Sequence, residues 1–250
     1  MAIMTLHEEL QAAVESRHSR HHPYYQLWRE GKLSREAIGG WVQEHYHFTK
    51  DILWLTGPRL CDVPYADMRE AARQGIAEEM DPADPHIDIL LRFGAAVGLD
   101  PEQVKRSKPL PTTQALLDWV YIMNRQRSAV EAIAGLNIGL ESQPPQLYGD
   151  IVPALKEKYG CTDEQIAYFP VHVEADTEHG GRAYALVEKY ARTEELRQRA
   201  VLAAREGAEK RWFYIDGIYI HYVLGYKLTD ARWDEYQAEW GPSPFYRGVW

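Results

Sequence analysis

The sequence predicts an all-α protein, a single bundle of about seven or eight helices over residues 1–250. Apolar residues recur at spacings of three and four along most of the chain, which is the periodicity of helices that bury one face. Strict alternation of apolar and polar residues, the pattern of a half-buried strand, is nearly absent. Residues that cap helices stand before several apolar segments, and Gly or Pro stands after them.

The first predicted helix opens with a capping box, in which Thr5 and Glu8 satisfy each other's backbone N–H groups. The stretch His21-His22-Pro23 then interrupts the chain, and Gly31 ends the short apolar segment that follows it. Ser34 is a good N-cap for the next helix. The spacing predicts that this helix runs to about residue 55, before Gly57 and Pro58.

The middle of the chain contains three more predicted helices. One spans 65–80 and ends at a turn over 81–85, because two prolines remove backbone donors and restrict the residues before them. A helix follows from His86 to Gly98, and 105–113 is predicted to be a connection within the domain. The apolar pattern predicts one long helix over 113–141.

The last third of the chain carries the remaining helices. One ends at Tyr159-Gly160, and a capping pattern at Thr162 and Gln165 opens another that Pro170 interrupts or kinks. The final expectations are helices over 171–190 and 193–226, followed by an irregular aromatic tail from about residue 228 that includes Trp233 and Trp250.

Composition excludes several classes of protein. With 45% hydrophobic residues, the 250-residue chain can bury a sizeable core. The net charge of −9 argues against nucleic acid as a partner. The two cysteines, Cys61 and Cys161, are too few for a disulfide-bonded secreted protein, so we expect a cytoplasmic location. No stretch approaches the roughly 20 apolar residues of a spanning helix, and we expect no membrane insertion.

Three side chains with metal-binding chemistry lie on one helix face. His172, Asp176 and His179 have the spacing i, i+4 and i+7, so two imidazoles and a carboxylate converge from a single segment. An exposed polar helix face would explain the pattern equally well if it stood alone. Small and aromatic neighbours such as Ala175 and Tyr184 favour burial, and buried polar groups are usually paired or metal-bound.

Further candidates stand elsewhere in the chain. Glu78 or Glu79 can meet His86 across the proline turn, and Glu141 ends an apolar helical stretch where a charge needs a partner. Each of these features alone has a simpler explanation as a solvated helix end. Taken with the first three residues they make three histidines and three carboxylates without a thiolate, a donor set that suits two ions of iron or manganese.

Four segments, 22–36, 78–88, 141–145 and 172–179, resemble the haem-oxygenase-like di-metal oxidases, a family that includes chlamydial para-aminobenzoate synthases. The resemblance implies a haem-oxygenase-like bundle without haem and a homodimer. It also implies two irons, or a manganese–iron pair, with O₂ as co-substrate and an external reductant. The metal ligands that it implies are Glu78 (or Glu79), His86, Glu141, His172, Asp176 and His179.

The resemblance also implies a role for Tyr25, which matches a tyrosine that is the source of the product in the chlamydial enzyme. The sequence departs from that enzyme at Ile151, where the relative has a lysine. The related cofactorless pyrroloquinoline quinone synthases share the motif at 40–42, but their substrate-binding arginine and glutamine are replaced here by His45 and Thr49.

We therefore expect a non-haem di-iron oxidase that acts on a small aromatic or amino-acid-derived substrate, or on its own tyrosine side chain, in para-aminobenzoate synthesis. Two alternatives remain open at this stage. One is a cofactorless oxidase of a quinone-type precursor. The other is a non-enzymatic helical module that binds a ligand or partner, for which an exposed aromatic tail would be the best support.

Overall fold

The computed structural model describes residues 4–83 and 85–229, and these form helices without any strand, as the sequence predicts. No helix in this part of the chain is long and apolar enough to cross a membrane. The predicted tail that includes Trp233 and Trp250 lies outside the described residues. The α-helices in chain order are α1 Leu6–Glu15, α2 Pro23–Arg29, α3 Arg35–Lys50, α4 Ile52–Thr56, α5 Pro58–Cys61, α6 Ala66–Glu79, α7 His86–Ala96, α8 Pro101–Arg106, α9 Pro111–Gln126, α10 Ala129–Ile133, α11 Pro144–Glu157, α12 Tyr168–Tyr190 and α13 Glu194–Ile218.

Three predicted helix starts are confirmed by their capping contacts. In α1, Thr5 accepts the N–H of Glu8 at 3.3 Å, and the Glu8 carboxylate accepts the Thr5 N–H at 2.7 Å. Ser34 and Thr193 accept backbone N–H groups at the starts of α3 and α13 in the same manner. Each side chain satisfies a donor that the first turn leaves without an intrahelical partner.

The helix predicted to run from Ser34 to about residue 55 is shorter than expected. The structure ends α3 at Lys50, because Asp51 leaves helical geometry with φ −100° and ψ 6°. Asp is a poor helix former, and the chain resumes helical geometry as α4 from Ile52. The later break at Gly57 and Pro58 leads directly into α5.

The prediction of a single long helix over 113–141 is wrong. Arg127 is extended and ends α9, and Ser128 then forms a capping box with Glu131 that starts α10. Apolar continuity masked this start signal in the sequence. The chain continues from α10 as a π-helical segment over Ala134–Ile138.

Glycines bring α13 against this π-helical segment. A Cβ at Gly207 would lie 2.1 Å from the carbonyl oxygen of Gly135, so only glycine permits this approach of the two backbones. A second π-helical segment, Tyr219–Val223, extends α13 at its C-terminal end. The packing fixes the end of the first π-helical segment, which carries Asn137 and leads into the turn that contains Glu141.

Two smaller expectations are also corrected. The connection predicted over 105–113 begins within α8, which Asp100 caps by accepting the N–H of Glu102. The contacts predicted between Thr162 and Gln165 form, but 163–167 is a turn and α12 begins only at Tyr168. Pro170 therefore lies in the first turn of α12, where its missing N–H has no intrahelical partner to lose.

An aromatic core joins the helices that carry the candidate site. Trp41 packs on Trp28 and Phe169 at centroid distances of 5.5 and 5.8 Å, and Phe93 packs edge-on to Phe169 at 4.8 Å. Edge-to-face and offset aromatic pairs of this kind stabilise a core by about 0.5–1.5 kcal/mol each beyond area burial. Because Phe169 lies at the start of α12, the core holds the helix that presents His172, Asp176 and His179.

Candidate metal centre

A cavity with about 1140 Å³ of empty space, including its opening, lies between α6, α7, α12 and the π-helical segment. All of the metal-ligand candidates predicted from the sequence line it, and they come from separate parts of the chain. The lining histidines, carboxylates and arginines are His45, Arg59, Glu78, Glu79, His86, Glu141, His172, Asp176, His179, Arg182 and Arg211.

The first group of potential ligands is Glu79, His86 and His172, whose ligand atoms lie within 4.8 Å of one another. Glu79 ends α6 and His86 begins α7, so the proline turn between them folds the two side chains together. Glu79 Oε2 lies 3.1 Å from His86 Nδ1. His172 Nδ1 lies 2.7 Å from the Tyr168 carbonyl oxygen, to which it donates, and this leaves Nε2 for a metal ion.

The second group is Glu141, Asp176 and His179, again with ligand atoms within 4.8 Å of one another. Asp176 and His179 project from the same face of α12, with Asp176 Oδ1 and His179 Nδ1 3.9 Å apart. Asn137, one turn before Glu141, donates a hydrogen bond to its Oε2. This hydrogen bond orients the Glu141 carboxylate.

Glu78 and Glu79 both reach the cavity. Glu79 belongs to the first group, whereas Glu78 contacts the second through its Oε2, which lies 2.7 Å from His179 Nε2. The side chain of Glu78 is 42% exposed and that of Glu79 is 24% exposed. The structure therefore assigns Glu79 the more enclosed position, which the sequence offered only as the alternative to Glu78.

Burial and neighbouring charges shift the pKa values of several of these groups. Burial and the nearby Glu141 and Glu79 carboxylates raise the pKa of Asp176 well above its ordinary value. Burial lowers the pKa of His172 to about 4. Burial also disfavours the charged form of His86, but the Glu79 carboxylate outweighs it and the pKa of His86 is raised. So many carboxylates in one cavity need protons or metal cations between them.

The residues fit a pair of metal ions. His86 Nδ1 and Glu78 Oε2 are buried and form no hydrogen bond of good geometry with any described residue, although each lies near an oppositely charged group. Buried polar atoms are rarely left in this state without a ligand. The donors are nitrogen and oxygen atoms only, a set that suits iron or manganese.

Tyr25, the predicted catalytic residue, lies in the aromatic core behind the cavity rather than among its lining residues. It is 1% exposed, and its hydroxyl accepts the indole N–H of Trp41 at 3.0 Å. Burial raises the pKa of Tyr25, opposed by the nearby Arg211 guanidinium. Because Arg211 lines the cavity, it connects Tyr25 to the site, and the catalytic role of Tyr25 stays a prediction.

Asn137 and Arg59 are among the polar residues of the cavity that were not identified from the sequence. Asn137 stands four residues before Glu141, a helical spacing that could have identified it. Arg59 has no such signal, because its partners Asn124 and Asn137 are distant in sequence.

A profile of the family described as iron-containing redox enzymes matches residues 40–212. The chain belongs to this family. It is 26% identical to the 4-aminobenzoate synthase of Nitrosomonas europaea, over 89% of this chain and 94% of that protein. It is 28% identical to the pyrroloquinoline-quinone synthase of Granulibacter bethesdensis, over 86% of this chain and 87% of that protein.

Solved structures share the fold. A haem-oxygenase-like protein of Shewanella denitrificans aligns with a TM-score of 0.72 at 19% identity, covering 98% of both chains. A TenA homologue of Pseudomonas syringae aligns with a TM-score of 0.74 at 14% identity, covering 87% of this chain and 96% of that one. The haem-oxygenase-like fold implied by the sequence resemblance is therefore confirmed.

Proposed function

We propose that this iron-containing redox enzyme is a non-haem di-iron oxidase that uses O₂ to oxidise a small aromatic or amino-acid-derived substrate in the synthesis of 4-aminobenzoate. The observation that carries the proposal is the convergence of two three-residue ligand groups on one cavity. The similarity to proteins named 4-aminobenzoate synthase supports the product. A homodimer and a supply of external electrons belong to the same proposal.

In this proposal each ligand group holds one ion. Glu79, His86 and His172 would hold the first, and Glu141, Asp176 and His179 the second; Glu78 is placed to assist the second through its contact with His179. Ferrous ions held by these residues would provide the two-electron redox chemistry that the reduction of dioxygen needs.

The protein's own contribution is to position and shield these groups. The Tyr168 carbonyl and Asn137 fix the directions of His172 and Glu141, so the ligands need little reorganisation when ions bind. The aromatic side chains of Tyr148 and Tyr168 form part of the cavity wall and exclude water from it. Arg211 contributes a buried positive charge beside these tyrosines.

A cofactorless oxidase of a quinone-type precursor is the second candidate. The 28% identity to a pyrroloquinoline-quinone synthase favours it. The two candidates differ in what the cavity must hold, because a cofactorless enzyme has no need for six convergent metal-binding side chains. Metal binding by the wild-type chain and its variants separates them.

The test is iron content after reconstitution with ferrous ion under anaerobic conditions. We expect His172→Ala and Asp176→Asn to lose at least one of two irons per chain with unchanged helical circular dichroism. The matched controls are His47→Ala and Glu44→Gln, which alter a buried histidine and a buried carboxylate that do not line the cavity. Equal iron content in all of these proteins would refute the ligand assignment.

A further inference from the structure

Arg59 is a buried cation of the cavity lining, and one of its terminal nitrogens has no hydrogen-bond partner among the described residues. It lies on the short helix α5, is 7% exposed, and lines the cavity. Its Nε donates to Asn124 Oδ1 at 2.5 Å and its Nη1 donates to Asn137 Oδ1 at 2.7 Å. Its Nη2 is buried and has no hydrogen-bond partner among the described residues.

Unlike Arg59, the other two arginines of the cavity have no buried side-chain nitrogen that lacks a hydrogen-bond partner among the described residues. Arg211 donates to Ser19 Oγ at 3.1 Å and also bonds Tyr148. Arg182 donates to Gln74 and, at 2.6 Å, to Glu178. A buried donor without a partner is destabilising, and native structures rarely retain one without a ligand to satisfy it.

Arg59 also lies close to the second ligand group. Asn137 accepts from Arg59 and donates to Glu141, so a single amide separates the guanidinium from this candidate metal ligand. An anion held at Nη2 would therefore lie beside that group rather than at the far end of the cavity.

The charge of the cavity favours an anion. Four carboxylates and three guanidinium groups line it, so two divalent metal ions would leave an excess of positive charge. The paired metals neutralise the carboxylates that would otherwise repel an anionic substrate.

We infer that Arg59 binds the carboxylate of the substrate through Nη2, which makes small aromatic or amino-acid carboxylates the substrate class of this enzyme. This inference rests on the proposed function, since it places the substrate beside the second metal group. A guanidinium is suited to the role because it stays charged when buried and presents its donors in a fixed plane.

The experiment is calorimetric titration of the anaerobic, iron-loaded protein with benzoate and with its neutral analogue benzamide. We expect benzoate to bind more tightly to the wild-type protein. Arg59→Met should weaken benzoate binding about 10- to 100-fold and leave benzamide binding nearly unchanged, because only the charged ligand loses a charge-assisted hydrogen bond. The benzoate affinity of Arg59→Lys should lie between those of the wild-type protein and Arg59→Met.

Arg182→Met is the matched control, since it removes another cavity-lining guanidinium whose Nη1 and Nη2 atoms already have partners. It should keep the preference for benzoate. Equal binding of benzoate and benzamide by the wild-type protein would overturn the inference. An Arg59→Met variant that keeps the full preference for benzoate would also overturn it, because a metal ion or another residue would then hold the carboxylate. Iron is measured on the same samples, and its absence from the wild-type protein would refute the proposed function and the premise of this inference together.

Discussion

Glu44 is a buried carboxyl group whose ionisation should set part of the pH dependence of stability. It is fully buried on α3, one residue before the cavity-lining His45. It accepts hydrogen bonds from the Leu110 N–H at 2.8 Å, from the Thr113 hydroxyl at 2.5 Å and from the Tyr222 hydroxyl at 3.3 Å. These contacts join α3 to the start of α9 and to the second π-helical segment. We propose Glu44→Gln as the perturbation.

Burial raises the pKa of Glu44 from 4.5 to about 7, because removal from water disfavours the charged form more than the hydrogen bonds from Thr113, Leu110 and Tyr222 favour it. The folded protein therefore binds the proton more tightly than the unfolded chain. Stability from this group is fully present below pH 4.5 and is lost as pH rises through about 7. At 1.36 kcal/mol for each pH unit between these values, the loss amounts to about 3 kcal/mol.

The assay is the free energy of unfolding in urea at pH 5 and pH 8 for the wild-type protein and Glu44→Gln. Glutamine resembles the protonated carboxyl, so the variant should be more stable than the wild-type protein by about 1 kcal/mol at pH 5 and by about 3 kcal/mol at pH 8. Titration of the metal-binding groups is common to both proteins and cancels in the difference.

Glu131 supplies the control with the opposite sign. Burial disfavours its charged form, but Ser128 and Arg199 outweigh burial and lower the pKa of Glu131. Stability from Glu131 is therefore present above its unfolded pKa and is lost as pH falls, so Glu131→Gln should be destabilising at pH 8 and less so at acidic pH. A Glu44→Gln variant that is less stable than the wild-type protein by the same amount at both pH values would refute the reasoning.

Two further predictions concern the site. Asn137→Ala removes the hydrogen bond to Glu141 and the acceptor of Arg59, and it should lower the affinity for iron about 10-fold in competition with a chelator; an unchanged affinity would show that Asn137 does not position the ligand. Tyr25→Phe distinguishes a small-molecule carboxylate substrate from the enzyme's own tyrosine side chain. The carboxylate substrate predicts 4-aminobenzoate formation at the wild-type yield, whereas loss of the product at unchanged iron content would make Tyr25 its source. Chromatography of the reaction products measures this, and wild-type yields from Tyr25→Phe would exclude Tyr25 as the source.

The part of the site whose residues lie on one helix was predictable from the sequence. His172, Asp176 and His179 lie on a single helix, so their spacing alone placed them on one face. Glu78 and Glu79 were ambiguous because they adjoin a turn, and the direction of a turn depends on packing rather than on local periodicity. Arg59 was not predictable, since its position depends on contacts with Asn124 and Asn137, which lie far along the chain.

In the fold, too, features with a local sequence signal were predictable and features that depend on distant contacts were not. The class and most helix starts followed from caps and apolar spacing, as at Thr5 and Ser34. The break between α9 and α10 was missed because Val130 and Ile133 continue the apolar pattern across it, although the Ser128–Glu131 capping box marks a new start. The π-helical segment has no local signal, because it depends on the close approach of Gly207 on α13 to Gly135.

The proposed oxidase activity depends on a pair of irons held by the two ligand groups of the cavity. The most direct measurement is the Mössbauer spectrum and iron content of the wild-type protein reconstituted anaerobically with ⁵⁷Fe(II). We expect about two irons per chain in high-spin ferrous sites with nitrogen and oxygen ligands. A protein that binds no iron, or a single iron per chain at saturation, would contradict this expectation.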